Sequence, residues 1–292
     1  MREIIIISGK GGTGKTSLTG AFAHLAERKI ICDLDVDAPD LHLLLQPAKE
    51  RLEEFYSGHE AEIDGEKCDG CGLCATMCQF GAIRENGAGF AVDPVRCEGC
   101  KVCVAFCPNA AIRFPERHCG QWFVSATRFG PLVHAQLFPG AENSGRLVMV
   151  LKQQARDLAK ARGADLVLCD GAPGIGCPVI SSLSGAHLAV AVTEPTPSGR
   201  HDLERVADLC RHFQTTLAVI INKHDLNDEE AARIEAFCQA ESYPVIARLP
   251  HDMLVTRAMI QGLVVTELPE TDFSRKLAQA WAKIEALAGL GR

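Results

Sequence analysis

Gly9-Lys10-Gly11-Gly12-Thr13-Gly14-Lys15-Thr16 is the stretch on which the fold turns. It fits the pattern G-x-x-x-x-G-K-[ST], and its flanks supply the context that pattern needs. Before it, Ile4–Ser8 is a short apolar run of β-branched residues, as expected of a strand buried on both faces. After it, Lys15–Arg28 places Leu18, Phe22 and Leu25 on one helical face. A glycine turn that matched by chance would lack both. The glycines let successive backbone N–H groups point inward at phosphate oxygens, helped by the positive end of the helix. Lys15 is expected to reach β- and γ-phosphates and the Thr16 hydroxyl to ligate Mg²⁺. Gly11, Gly12, Thr13, Gly14 and Ser17 complete the candidate ATP-binding loop.

Outward from the loop the chain alternates. Strands are predicted over Lys29–Asp35, Leu166–Asp170, His187–Thr193, Leu217–Asn222 and Val245–Leu249. Helices are predicted over Arg146–Arg162, Asp202–Phe213, Glu229–Ala240 and Ser274–Leu290, the last with Leu277, Trp281, Ile284 and Leu287 on its apolar face. This implies an α/β protein with a mostly parallel sheet covered on both faces, ligands lying beyond the carboxyl ends of the strands. From about His59 to Glu116 cysteine, glycine and proline rise and long apolar runs vanish. The expected organisation is a P-loop domain in two parts, 1–58 and 117–292, with 59–116 inserted.

The 292 residues are 47% hydrophobic and 23% charged, ordinary for a folded soluble chain. A formal charge of −7 argues against nucleic acid or anionic lipid as a partner. No apolar run approaches the roughly 20 residues of a membrane span. Ile4–Ile7 is too short for a signal peptide, so the expected location is the cytoplasm. The terminal helix ends at Gly291-Arg292 without a basic, aromatic-rich tail, so no stable membrane anchor is expected. Fourteen cysteines in such a chain point to metal or redox chemistry rather than disulfides.

Eight of them form a repeat. Cys68-x2-Cys71-x2-Cys74-x3-Cys78 is followed by Cys97-x2-Cys100-x2-Cys103-x3-Cys107-Pro108, each cysteine 29 residues after its counterpart. The match extends to Ala82-Ile83 against Ala111-Ile112, implying two similar half-modules facing one another. Zinc sites use spaced Cys-x-x-Cys pairs supplying four ligands, not two runs of four. The module resembles a bacterial ferredoxin, an α+β domain with two [4Fe–4S] clusters in which the fourth cysteine of each run serves the other cluster. That resemblance implies Cys68, Cys71, Cys74 and Cys107 at one cluster, and Cys97, Cys100, Cys103 and Cys78 at the other. Gln79 stands where Pro108 stands in the second half.

The loop resembles the deviant form of the MinD/ParA group, which includes Mrp-type carriers and the nitrogenase iron protein. The resemblance rests on Lys10 in Lys-Gly-Gly-x-Gly-Lys-Thr. In that family the early lysine reaches across a nucleotide-sandwich dimer, so Lys10 and Lys15 become catalytic candidates. Asp33-Leu34-Asp35 is similar to switch I, which makes Asp35 the candidate that positions the attacking water, with Asp37 and Asp40 as alternatives. Asp170-Gly171-Ala172-Pro173-Gly174 is similar to switch II and puts Asp170 near Mg²⁺. Asn222, Pro250 and Asp252 match the base-side segments. Cys177, seven residues past Asp170, falls where the nitrogenase iron protein has a cluster-bridging cysteine, but Cys119 is in the wrong context to be its partner.

The chain as a whole resembles MinD-superfamily ATPases with an inserted ferredoxin domain. The resemblance implies an ATPase with Mg²⁺ and two [4Fe–4S] clusters, acting as a nucleotide-dependent homodimer or with a related ATPase. Nucleotide-controlled electron transfer to a redox or metallocluster partner is the leading expectation. Mrp-like cluster delivery and MinD-like positioning with redox sensing are the alternatives.

Overall fold

The computed structural model describes residues 1–87, 89–141 and 144–290, so Gly291-Arg292 lie outside it. The chain divides into two compact units. One comprises Met1–Glu53, Trp122–Gln136 and the chain from Ser144 onward; the other comprises Glu54–Gln121 and a short stretch from Leu137.

Among the described residues one sheet has nine strands, in the spatial order Val245–Leu249, Thr216–Asn222, Leu188–Thr193, Arg2–Ser8, Leu166–Pro173, Lys29–Asp33, Gly130–Leu137, Glu116–Thr127, Ala48–His59. Every pairing from Val245–Leu249 to Gly130–Leu137 is parallel. The central strands are fully buried because both faces carry helices, which explains their unbroken runs of Ile, Val, Leu and Ala. Arg2–Ser8 and Leu166–Pro173 run in register as far as Ile6↔Asp170, then slip so that Ser8 faces Pro173. Gly171 sits at the slip, where an added Cβ would lie 2.7 Å from Ile7 Cγ2 and 2.9 Å from the Ile6 carbonyl oxygen. Only glycine fits there.

Several boundaries move for local reasons. The loop helix is Lys15–Leu25, ending three residues before Arg28, because Ala26 is already extended and Arg28 takes φ 44°. The second strand stops at Asp33, not Asp35. The helix expected from Asp202 spans Pro197–His212, because Thr196 Oγ1 accepts the Gly199 N–H at 2.9 Å and Pro197 opens the first turn. The last helix is Asp272–Ala288, and its inward face is Leu277, Trp281, Ile284 and Ala288, whereas Leu287 is exposed. Trp281 packs on Phe22 of the loop helix with ring centroids 5.6 Å apart. No helix among the described residues is long and apolar enough to cross a membrane.

Strands Ala48–His59, Glu116–Thr127 and Gly130–Leu137 lie outside the predicted set. The last two form a hairpin closed by Arg128-Phe129. Arg128 fixes that turn: it pairs with Glu267 at 2.7 Å and donates to the carbonyl oxygens of Leu44 at 2.7 Å and Gly262 at 3.2 Å. His134 on the same hairpin is buried, with Nε2 2.9 Å from Ser125 Oγ and its ring on Phe123 and His42.

In the second unit the 29-residue repeat is visible in the backbone. Asp64 accepts from the N–H groups of Lys67 and Cys68, and Asp93 does the same for Arg96 and Cys97. Short helices Leu73–Met77 and Val102–Phe106 follow. The halves interlock, since Asp64 donates to the Ala111 carbonyl at 2.8 Å and Asp93 to that of Ala82 at 2.7 Å.

Burial pushes the His134 imidazole down to about 4, helped by His42 and Lys49. The folded state therefore resists a proton that the unfolded chain binds near 6.5, and stability is lost as pH falls through that window. With a folded value of about 4, the loss between pH 7 and 4 should be about 3 kcal/mol greater in the wild type than in His134→Gln, read from denaturant midpoints. Equal pH slopes in the two proteins would contradict this.

Candidate functional site

The helix Lys15–Leu25 begins without a side-chain cap, at Gly14 with φ 87° and ψ 12°. Its first-turn N–H groups are thus left for an external anion, which is how this element binds phosphate. Gly14 is also hemmed in, because an added Cβ would lie 2.6 Å from Asn222 Nδ2. A cavity of about 500 Å³ over the loop is lined by Gly11–Ser17, Asp35, Asp40, Leu43 and Pro173 among others.

Lys15 is the centre of this site and only 6% exposed. Its Nζ lies 3.0 Å from Asp170 Oδ1 and 3.4 Å from Asp35 Oδ2, while the Thr16 hydroxyl is 3.5 Å away. Burial works against its charge, but Asp170, Asp35 and Asp33 more than offset that and hold the ammonium above its ordinary value. Asp33 is buried and its carboxyl is pushed well up, by burial first and then by Asp170. Asp35 is raised too, chiefly by burial. Asp33 Oδ1 accepts the Asp35 N–H at 3.1 Å, which fixes the segment. Asp33 Oδ2, Asp170 Oδ2 and Thr13 Oγ1 are buried without a hydrogen-bond partner. Three oxygens left bare around a phosphate loop fit a hydrated divalent cation and its phosphates.

Lys10 is not among this group. Its Nζ lies 3.5 Å from Glu194 Oε2 and donates to Thr196 Oγ1 at 3.2 Å and Ser198 Oγ at 3.4 Å. Asn222 donates to the Thr13 carbonyl oxygen at 2.8 Å, so its amide nitrogen anchors the loop. With Pro250 and Asp252 it lines a second cavity of about 220 Å³, which Gly12, Gly14 and Ser17 also reach. Asp252 Oδ1 accepts from Leu254 N–H at 2.8 Å and thereby caps Met253–Ile260. Of the other two carboxylates considered for the water-positioning role, Asp40 lines the main cavity and Asp37 is exposed elsewhere.

Three participants are absent from the predicted set. Thr19 Oγ1 is 2.8 Å from Asp170 Oδ1, a contact foreshadowed only by its place one turn after Lys15. Glu194 and Lys223 meet at 2.5 Å, and Lys223 donates to the Gly12 carbonyl oxygen at 3.1 Å. No local signal marks that pair, because neighbouring strands bring it together.

The eight repeat cysteines line two separate cavities in the second unit. Cys68, Cys71, Cys74 and Cys107 line one with Ile63, Leu73 and Phe90; Cys78, Cys97, Cys100 and Cys103 line the other with Phe80, Ile83 and Phe114. The structure thus groups Cys107 with the first run and Cys78 with the second. Ala82 N–H donates to Cys78 Sγ and Ala111 N–H to Cys107 Sγ, both at 3.3 Å. Burial raises the Cys74 thiol, as do Cys68 and Cys71, and burial raises Cys103, as do Cys97 and Cys100. Among the described residues no three His, Cys, Asp or Glu side chains gather tightly enough to hold a single metal ion. Sulfurs ringing an apolar space, with N–H groups aimed at two of them, suit a multi-iron group rather than one ion. Cys32, Cys169, Cys210 and Cys238 are buried, as expected of core thiols. Cys177 is exposed at the start of Cys177–Leu183, and Cys119 is buried with Sγ 3.2 Å from the Ser57 carbonyl oxygen.

Comparison with known proteins gives these features a family. Residues 4–265 match the model of the CobQ/CobB/MinD/ParA nucleotide binding domain. Uncharacterized protein MJ0578 of Methanocaldococcus jannaschii is 35% identical over 229 residues, 77% of this chain and 79% of that protein. The septum site-determining protein MinD of Pyrococcus horikoshii, solved with Mg-ADP, superposes with a TM-score of 0.61 at 18% identity, covering 99% of this chain and 97% of that one. The cell division ATPase MinD of Pyrococcus furiosus gives 0.59 at 18%, over 98% and 99%. The sheet order, the capless loop helix and the matched span agree: the chain belongs to the CobQ/CobB/MinD/ParA family of P-loop nucleotide-binding proteins.

Proposed function

We propose that this protein is an ATPase whose nucleotide state is coupled to electron transfer through two [4Fe–4S] clusters to a partner protein. The observation that carries the proposal is the pair of cysteine-lined cavities in a chain that also holds a complete phosphate loop. Bound clusters would each take up and pass on one electron. Cys68, Cys71, Cys74 and Cys107 would hold one, and Cys78, Cys97, Cys100 and Cys103 the other.

At the nucleotide site the loop N–H groups and Lys15 would bind the phosphates, and Thr16 and Asp170 would hold Mg²⁺. Asp35 orients the water that attacks the γ-phosphorus as the β–γ bridging bond breaks, giving ADP and phosphate. Asn222, Pro250 and Asp252 take the base side. Lys10 of a second copy, or of a related ATPase, stabilises the charge that develops. MinD-like positioning, with the cysteine-bearing unit as a redox sensor, is the alternative to which the likeness of fold lends support, and it calls for sedimentation with liposomes when ATP is present. Mrp-like delivery calls for open ligation, whereas here four thiols surround each space.

Anaerobic purification with iron and sulfide analysis, followed by EPR with and without Mg-ATP, tests the whole reading. About eight irons per chain are expected for two clusters, with spectra or midpoint potentials that move on adding Mg-ATP. Iron-free protein, or signals indifferent to nucleotide, would sink it. Transfer of the iron to an apo-acceptor would select the carrier alternative.

The carboxylates around Lys15 also predict a trade between stability and function. Asp33 holds its proton more tightly folded than unfolded, so stability falls as pH rises above the ordinary carboxylate range. Asp33→Asn should therefore melt higher than wild type without nucleotide, by a margin that grows above about pH 4, while binding Mg-ATP more weakly. Identical melting at every pH would refute this.

A further inference from the structure

Lys10 is surrounded on its own chain. Three acceptors from one short segment, Glu194, the cap Thr196 and Ser198 in the first turn of Pro197–His212, converge on its Nζ within 3.5 Å. Glu194 is the pivot, because one of its oxygens faces Lys10 and the other lies 2.5 Å from Lys223. Lys223 in turn donates to the carbonyl oxygen of Gly12 inside the phosphate loop. The four residues Lys10, Glu194, Lys223 and Gly12 thus close a ring around the loop. Glu194 is only 14% exposed, so its charge is less screened than that of a surface ion pair, and Thr196 is fixed as the cap of Pro197–His212.

From this geometry we infer that Glu194 is a positioning residue: a latch that keeps Lys10 folded back on its own subunit until the phosphates of a second nucleotide draw it away. The inference rests on the reading of Lys10 as a lysine that acts across a dimer. The carboxylate and an incoming phosphate compete for the same ammonium, and a partly exposed pair worth about 1 kcal/mol corresponds to roughly fivefold in an equilibrium. The ring also ties the two events together, since release of Glu194 from Lys10 leaves its full charge on Lys223 and the Gly12 segment. Association should therefore be self-limiting at low nucleotide, and a lone subunit should hold its lysine out of reach of its own site.

Two readouts test this on the full-length protein. In the absence of nucleotide, trace acetylation followed by mass spectrometry should show Lys10 reacting severalfold faster in Glu194→Gln than in wild type, with distant lysines such as Lys276 unchanged. In sedimentation with Mg²⁺ and a non-hydrolysable ATP analogue, Glu194→Gln should self-associate roughly twenty-five-fold more tightly, about fivefold for each of the two latches released, and the gain should vanish when Lys10→Ala is present in both proteins. Glu194→Asp should lie between the two. An unchanged labelling rate for Lys10 overturns the latch, as does a gain in association that survives Lys10→Ala, which would make Glu194 a support for Lys223 alone. Faster labelling without any nucleotide-dependent association in either protein would keep the latch and remove the dimer reading instead.

Discussion

Everything at the nucleotide site depends on one buried cation. Lys15 enters from the loop helix, Asp35 from the segment after one strand and Asp170 from the strand beside it, and the ammonium joins them across 3.0 and 3.4 Å. Without that charge, Asp33, Asp35 and Asp170 would face each other in a largely buried space, which is costly for carboxylates. Lys15 thus has two tasks. In the proposed mechanism it receives phosphate, and in the structure it joins the two aspartate-bearing segments. Under the proposed function, an arriving nucleotide would compete for both contacts at once, which would link its binding to the Asp35 and Asp170 segments by electrostatics.

Two strands of the sheet cross the division between the units. The strand Ala48–His59 and the strand Glu116–Thr127 each contribute residues to both compact units, so the cysteine-bearing unit is continuous with the sheet through covalent structure. The turn at the end of the hairpin is held by Arg128 to the carbonyl of Leu44, in the short helix Leu41–Leu45. Leu44 itself lines the nucleotide cavity.

Legibility followed how local the cause was. The phosphate loop, the parallel core and the repeat of cysteines could be read directly, because each is set by spacing along the chain: a turn of φ above zero, a run of buried β-branched residues, a period of 29. The edge of the sheet could not. Ala48–His59 reads Ala-Lys-Glu-Arg-Leu-Glu-Glu-Phe-Tyr-Ser-Gly-His, and its mostly exposed residues dilute any alternation. Leu287 fits an apolar helical face in sequence yet lies in solvent, because the true face passes through Ala280 and Ala288. Thr19, Glu194 and Lys223 were invisible for a different reason. Their roles come from strands and helices that meet only in the folded chain, and nothing about a Thr-Glu-Pro-Thr stretch announces that its glutamate will stand between two lysines.

The interlocked halves of the cysteine-bearing unit carry an implication about folding. Asp64 is hydrogen-bonded to the end of the second half and Asp93 to the end of the first, and each cavity borrows one cysteine from the other half. A lone half would lack both its backbone partner and its fourth thiol. Closure of either cavity therefore requires both halves at once, so the unit forms as one cooperative piece although its sequence is two copies of one spacing.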